Sequence, residues 1–140
     1  MARNLLVYWG TIEEPCMDKE KRLLVIDVAA TTQEPIRSLL CGRSFAIDIA
    51  EDGLRAKQIL EADPSYDGII CDIEMPVIDG FELLAWVRSR KETRHLPVIM
   101  VSGLDILDVL DRSARIGEAS YIMKPVTIEK MNEALVLAGI

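Results

Sequence analysis

Residues 68–80 read Gly68-Ile69-Ile70-Cys71-Asp72-Ile73-Glu74-Met75-Pro76-Val77-Ile78-Asp79-Gly80: an apolar run that ends on a carboxylate and passes at once into a turn. An unbroken apolar run of this length predicts a strand buried on both faces. Such strands in open α/β sheets present their carboxyl ends, and whatever stands there, to the ligand crevice. Asp72 is therefore the leading functional candidate, and the sheet it implies is parallel.

Working outward, short β-branched or apolar runs alternate with longer segments of helical periodicity, the pattern of a parallel sheet wrapped by helices. Strands are expected at 22–27, 45–50, 66–72, 97–102 and 120–123, each followed by a helix of about three turns. Thr31 precedes Glu34 by three residues and Asp79 precedes Glu82 by three, both at or near capping-box spacing. Gly42 and Gly117 follow periodic segments as helix C-caps should. In the last helix Ile128, Met131 and Leu135 recur at three- and four-residue spacing and predict one inward stripe.

The chain has 140 residues, half of them hydrophobic, enough for one domain that buries about two thirds of its unfolded surface. Its 16 Lys and Arg against 23 Asp and Glu give a net charge of −7, which disfavours direct binding to nucleic acid. The apolar runs fall far short of the roughly 20 residues that span a bilayer, so no membrane segment is expected. The N-terminus lacks the apolar core and cleavage site of a signal peptide, which points to the cytoplasm. Cys16, Cys41 and Cys71 are odd in number and lack metal-ligand spacing, and the lone His95 does not complete a zinc site. Residues 11–22 are charged and contain a proline, so residues 1–20 read as an N-terminal extension or linker and 21–140 as the domain.

In a parallel sheet of these strands Asp27, Asp72, Ser102 and Lys124 all fall at or just past carboxyl ends, on one edge. A carboxylate that accepts a phosphoryl group needs a divalent cation against charge repulsion, a hydroxyl to steady the transferred oxygens and an ammonium to hold the product. The chain supplies each type in turn.

Leu24-Val25-Ile26-Asp27, Asp72-x-x-Met75-Pro76-x-x-Asp79-Gly80, Ser102-Gly103 and Tyr121-x-x-Lys124-Pro125 together resemble the receiver domains of two-component response regulators, over about residues 21–138. The resemblance implies a flavodoxin-like, doubly wound five-stranded sheet of order 2-1-3-4-5. It implies that Asp72 accepts phosphate from a histidine kinase or phosphotransfer protein, and that Asp27, Asp72 and the backbone carbonyl of Glu74 hold magnesium. Lys124 would pair with the phosphoryl oxygens, Ser102 would move toward them, and Tyr121 matches the aromatic whose rotamer follows. Lys124-Pro125 matches a pair whose peptide bond is commonly cis in the family. Output would pass to a downstream protein across the fourth helix, fifth strand and fifth helix. The chain would be a phosphoacceptor that at most assists its own phosphorylation and dephosphorylation, not an enzyme. Unless the chain is a fragment of something longer, the lack of room for an effector domain after residue 140 would send signalling through protein contacts, with a homodimer left open.

One departure stands out. Receivers carry two adjacent acids after the first strand, and here the pair is Asp27-Val28. Replacing a ligating carboxylate by an aliphatic side chain predicts weak magnesium binding. The side chain of Glu74 is long enough either to compensate at the metal or to repel the incoming phosphoryl group. The alternative reading is a pseudo-receiver, disabled in metal chemistry and kept as a constitutive protein-binding module. Taken singly, Asp27 could be a cap or turn residue, Lys124 a solvated lysine and Ser102 a helix-entry residue. Cys71 reads as a core residue pointing away from Asp72, Trp9 and Trp86 as packing residues, His95 as solvated, and Asp105, Asp108 and Asp111 as the wet face of the fourth helix.

Overall fold

The computed structural model describes residues 21–26, 45–103, 106–113 and 119–140. They form the strands β1 (Lys21–Ile26), β2 (Phe45–Ala50), β3 (Gly68–Asp72), β4 (Val98–Ser102) and β5 (Ser120–Met123), and the helices α1 (Gly53–Ala62), α2 (Gly80–Ser89), α3 (Ile106–Ser113) and α4 (Ile128–Ala138). All pairings are parallel and the order is β2-β1-β3-β4-β5, the doubly wound arrangement the sequence led us to expect. Asp27, Val28, the Thr31–Glu34 box, Gly42, Gly117, Asp105, Trp9, Cys16 and Cys41 lie outside the described residues.

Three strand starts differ from the sequence reading: β1 opens one residue earlier, at Lys21, and two others differ for backbone reasons. β3 opens at Gly68 rather than at residue 66, because the Tyr66 N–H bonds the Pro64 carbonyl at 2.8 Å in a tight turn. β4 opens at Val98, since Pro97 has no N–H to give, although its carbonyl still accepts from the Ile69 N–H at 2.9 Å.

Side-chain alternation splits the core in two. Leu24, Ile26, Ile69, Cys71 and Met100 face Ala56 and Leu60 of α1, Phe81, Leu84 and Val87 of α2, and Val109 of α3. Leu23, Val25, Ile70, Ile99 and Val101 face Met131, Ala134 and Leu135 of α4. β3 and β4 are buried along their whole lengths, and each fully buried Leu or Ile contributes about 1.5–3 kcal/mol. This is why the central strands read as continuous apolar runs. Cys71 is buried among the first set, as expected for a core residue.

The α2 capping box forms: Asp79 Oδ1 accepts from the Glu82 N–H at 2.8 Å, and Glu82 Oε1 accepts from the Asp79 N–H at 3.0 Å. In α4 the inward stripe is Met131, Ala134 and Leu135, whereas Ile128 is 55% exposed. Ile128 opens the helix directly after its Thr127 cap, one turn before Met131 reaches the core. The helix ends on Gly139 at φ 77°, a left-handed cap that glycine adopts without a Cβ penalty. Trp86 packs half-buried on the core with the Arg90 guanidinium 4.8 Å from its ring, and His95, Asp108 and Asp111 are exposed.

At the amino edge of the sheet Arg22 gathers a cluster that the sequence did not announce. Its guanidinium donates to Asp63 Oδ2 at 3.0 Å and Asp48 Oδ2 at 3.2 Å, and lies 4.3 Å above the Tyr66 ring. The Tyr66 hydroxyl donates to Asp48 at 2.7 Å. Burial, then that bond to a carboxylate, pushes the Tyr66 hydroxyl up to about 12. Asp63 is lowered to about 2, first by the Ser65 hydroxyl, then by the Ser65 N–H and the Arg22 guanidinium.

Candidate functional site at the carboxyl edge

β3, β4 and β5 end together. Asp72 stands opposite Val101 and Ser102 opposite Met123. Two further backbone bonds carry the alignment past the strands: Ile73 N–H to the Val101 carbonyl at 2.9 Å, and Lys124 N–H to the Ser102 carbonyl at 2.8 Å. The ladder thus brings Asp72, Ser102 and Lys124 onto neighbouring strands at one level, as the strand-end argument required.

The turn after Asp72 is fixed from the other side by α2. The Gly80 N–H bonds the Ile73 carbonyl at 2.8 Å. A Cβ at Gly80 would stand 2.7 Å from the Ile73 Cα and 2.8 Å from the Asp72 carbonyl oxygen, so only glycine lets the helix start this close to the strand end. Between them Val77 sits at φ 68°, with the Ile78 N–H bonded to the Pro76 carbonyl at 2.7 Å. A β-branched residue in that region is strained, and Val77 is 81% exposed.

Asp72 is 4% exposed and Ser102 3%. The ammonium of Lys124 lies 3.2 Å from Asp72 Oδ1 and 3.2 Å from Oδ2, so the acid is buried against a cation rather than in hydrocarbon. Glu74 comes to the same place. Its Oε2 accepts from the Ser102 hydroxyl at 2.8 Å, its Oε1 accepts from the Gly103 N–H at 3.2 Å, and Oε1 is 3.9 Å from the Lys124 ammonium. Two carboxylates face one ammonium, which leaves the described part of the site negative. Tyr121 is half-buried against the first core cluster, and its buried hydroxyl has no hydrogen-bond partner among the described residues. The Lys124–Pro125 peptide bond is cis.

Of the residues singled out in the sequence, Asp72, Glu74, Ser102 and Lys124 are brought together, Tyr121 lies in the strand that leads to Lys124, and Asp27 and Val28 fall outside the described residues. The Gly103 amide is the part of the site that sequence reading missed, because a backbone N–H carries no residue signature. Among the described residues no group of three or more His, Cys, Asp and Glu is placed to hold a metal ion. No helix among them is long and apolar enough to cross a membrane.

Comparison with known proteins bears on the fold and the family. The chain is 30% identical to the chemotaxis protein CheY-3 of Vibrio cholerae over 123 residues, 87% of this chain and 94% of that protein. It is 31% identical over 121 residues to the two-component response regulator-like protein PRR1 of Oryza sativa subsp. japonica, covering 85% of this chain but only 23% of the rice protein. Its fold matches the receiver domain of sensor histidine kinase PA1611 from Pseudomonas aeruginosa PAO1 with a TM-score of 0.73 at 21% identity, covering 86% and 98% of the two chains; that structure carries a magnesium ion in its active site cleft. The family profile described as response regulator receiver domain matches residues 23–136, and the chain belongs to that family.

Proposed function

We propose that Asp72 is a phosphoacceptor: it takes a phosphoryl group from the phosphohistidine of a histidine kinase or phosphotransfer protein, and the chain passes the signal on by protein contact in the cytoplasm. The observation that carries this reading is the buried Asp72 carboxylate with both oxygens 3.2 Å from one ammonium and a buried hydroxyl on the adjacent strand. An Asp72 oxygen attacks phosphorus, the phosphorus–nitrogen bond of the donor breaks, and its electron pair stays on the imidazole nitrogen. The product is a mixed carboxylic–phosphoric anhydride. Lys124 stays close enough to pair with the transferred oxygens, and Ser102 donates to one of them.

Asp72 and the main-chain carbonyl of Glu74 are hard oxygen donors of the kind magnesium takes, and with Asp27 they would hold the ion. Its contribution when bound is to neutralise repulsion between the acceptor and the incoming phosphoryl group. Val28, in place of a second acid, makes that hold weak. Output is assigned to the face of α3, β5 and α4, the fourth helix, fifth strand and fifth helix of the full (βα)5 pattern. Leu107, Met123 and Ile128 there are 71%, 38% and 55% exposed and would offer a partner apolar contact.

Incubation with a phosphohistidine donor protein and magnesium tests the reading: label should pass to the wild type, and its absence at saturating magnesium would leave the constitutive binding module as the function.

A further inference from the structure

We infer that Glu74 is an internal occupant of the anion pocket beside Asp72: its carboxylate takes the Ser102 hydroxyl, the Gly103 N–H and a share of the Lys124 ammonium before any phosphorylation, and must leave for a phosphoryl group on Asp72 to be held. The inference rests on the phosphoacceptor reading for its consequence, but the occupancy stands on geometry alone.

The two oxygens of Glu74 are met by two donors of different kinds, a hydroxyl at 2.8 Å and a backbone amide at 3.2 Å, with the ammonium 3.9 Å away. Donors that converge in this way on paired anionic oxygens fit a terminal phosphoryl group equally well, since both ligands are compact, negatively charged and acceptor-only. Asp72 lies two residues away on the same turn, and its carboxylate shares the same ammonium. A phosphoryl group attached there would reach toward the donors that Glu74 now holds.

Neighbouring residues keep Glu74 aimed at the pocket. Ile73 and Met75 on either side are 2% and 9% exposed, which pins the backbone, while the Glu74 side chain is 41% exposed. An anchored backbone makes occupancy easy to reach, and an outer flank open to water lets the carboxylate swing out when displaced. Gly103 tolerates the approach: even a Cβ placed there would stand 3.9 Å from Glu74 Oε1. Against a magnesium role for the side chain, both of its oxygens already serve Ser102 and Gly103. Repulsion and competition then act in the same direction, so the acid slows labelling and substitutes for the phosphoryl group in holding Ser102.

The test uses the full chain and two variants, Glu74→Ala, which removes both acceptors, and Glu74→Gln, which keeps an acceptor and removes the charge. Without any phosphodonor, the Gly103 amide proton resonance should move upfield in Glu74→Ala as its charged acceptor is lost. With phosphoramidate and magnesium, Glu74→Ala should label faster than wild type on the order of ten- to a hundred-fold, the factor expected for releasing hydrogen bonds to a charged group, with Glu74→Gln in between. An unmoved amide overturns the occupancy. Labelling that is equal or slower, with weaker magnesium binding in a metal titration, overturns the competition and makes the side chain a metal ligand. An amide that moves while neither protein labels overturns the phosphoacceptor reading and upholds the occupancy.

Discussion

Among the described residues, each edge of the sheet gathers carboxylates around a cation, and the two clusters differ in the cation they use. At the amino edge Arg22 spreads over Asp48, Asp63 and the Tyr66 ring, with partner side chains about half in water. At the carboxyl edge Lys124 brings one point charge to a nearly buried Asp72 and stays within 3.9 Å of Glu74. A guanidinium fork fixes several planar acceptors at once, which suits a clamp. An ammonium can exchange one set of oxygens for another without losing geometry, which suits a site where oxygens arrive and depart. On the proposed function, the difference in cation separates a fastening from a phosphoacceptor site more clearly than the number of acids does.

The largest expected effect tests that separation directly. Asp72→Asn should abolish labelling by a small phosphodonor, while Arg22→Ala, at the far edge, should leave the labelling rate within about two-fold of wild type, as expected for a surface ion pair remote from the chemistry. Label kept by Asp72→Asn, or lost in Arg22→Ala, would break the comparison.

Stability sharpens it. Lys124→Ala takes the ammonium from between the buried Asp72 carboxylate and Glu74 and should cost about 1–3 kcal/mol in denaturant melts. Arg22→Ala removes more contacts but exposed ones, and should cost about 1 kcal/mol. The reverse order would show that the carboxyl edge is the better hydrated of the two.

How much of this was legible in the sequence follows from what carries a side-chain signature. The strand ends were readable because β3 and β4 are buried on both faces and stop on polar residues, so Asp72, Ser102 and Lys124 could be placed on one edge by counting. The Asp79–Glu82 cap was readable from residue types at fixed spacing. The Arg22 cluster was not, because it depends on the register that brings Arg22 beside Asp48 and Tyr66, residues far apart in the chain. Glu74 was visible as a long acid near Asp72, but its partners were not: one is a backbone amide, and the other, Ser102, lies 28 residues on. Ile128 was assigned inward by spacing alone, which carries no information about where the helix meets the sheet.

Two groups at the amino edge tie stability to pH. Asp63 is lowered to about 2 from an ordinary 3.8, so its contribution is present above about 4 and fades as pH falls through 2. Ser65→Ala should flatten the acid limb of the melting profile. Tyr66 is raised to about 12 from 10, so its contribution is complete below 10 and is lost as pH rises toward 12. Tyr66→Phe should cost about 1 kcal/mol at neutral pH, from the lost bond to Asp48, and remove the matching part of the alkaline decline. Unchanged profiles in both variants would mean that the cluster is more open to water than its geometry indicates.

The smallest expected effect returns to the carboxyl edge. Val77→Gly relieves a positive φ at an exposed β-branched residue and should stabilise by up to about 1 kcal/mol, read as a rise in the denaturation midpoint at constant slope. A loss of stability would mean that the φ of 68° is not held in solution.

The central claim is that the carboxyl edge is a phosphoacceptor site with Asp72 as its acceptor. Treatment with phosphoramidate and magnesium, followed by borohydride reduction and peptide mapping, reads it residue by residue, because an acyl phosphate is reduced to an alcohol where a free carboxylate is not. The account predicts homoserine at position 72 of the wild type and at no other acid. Reduction at Glu74 or another carboxylate, or an unmodified position 72 at saturating magnesium in both wild type and Glu74→Ala, would contradict it.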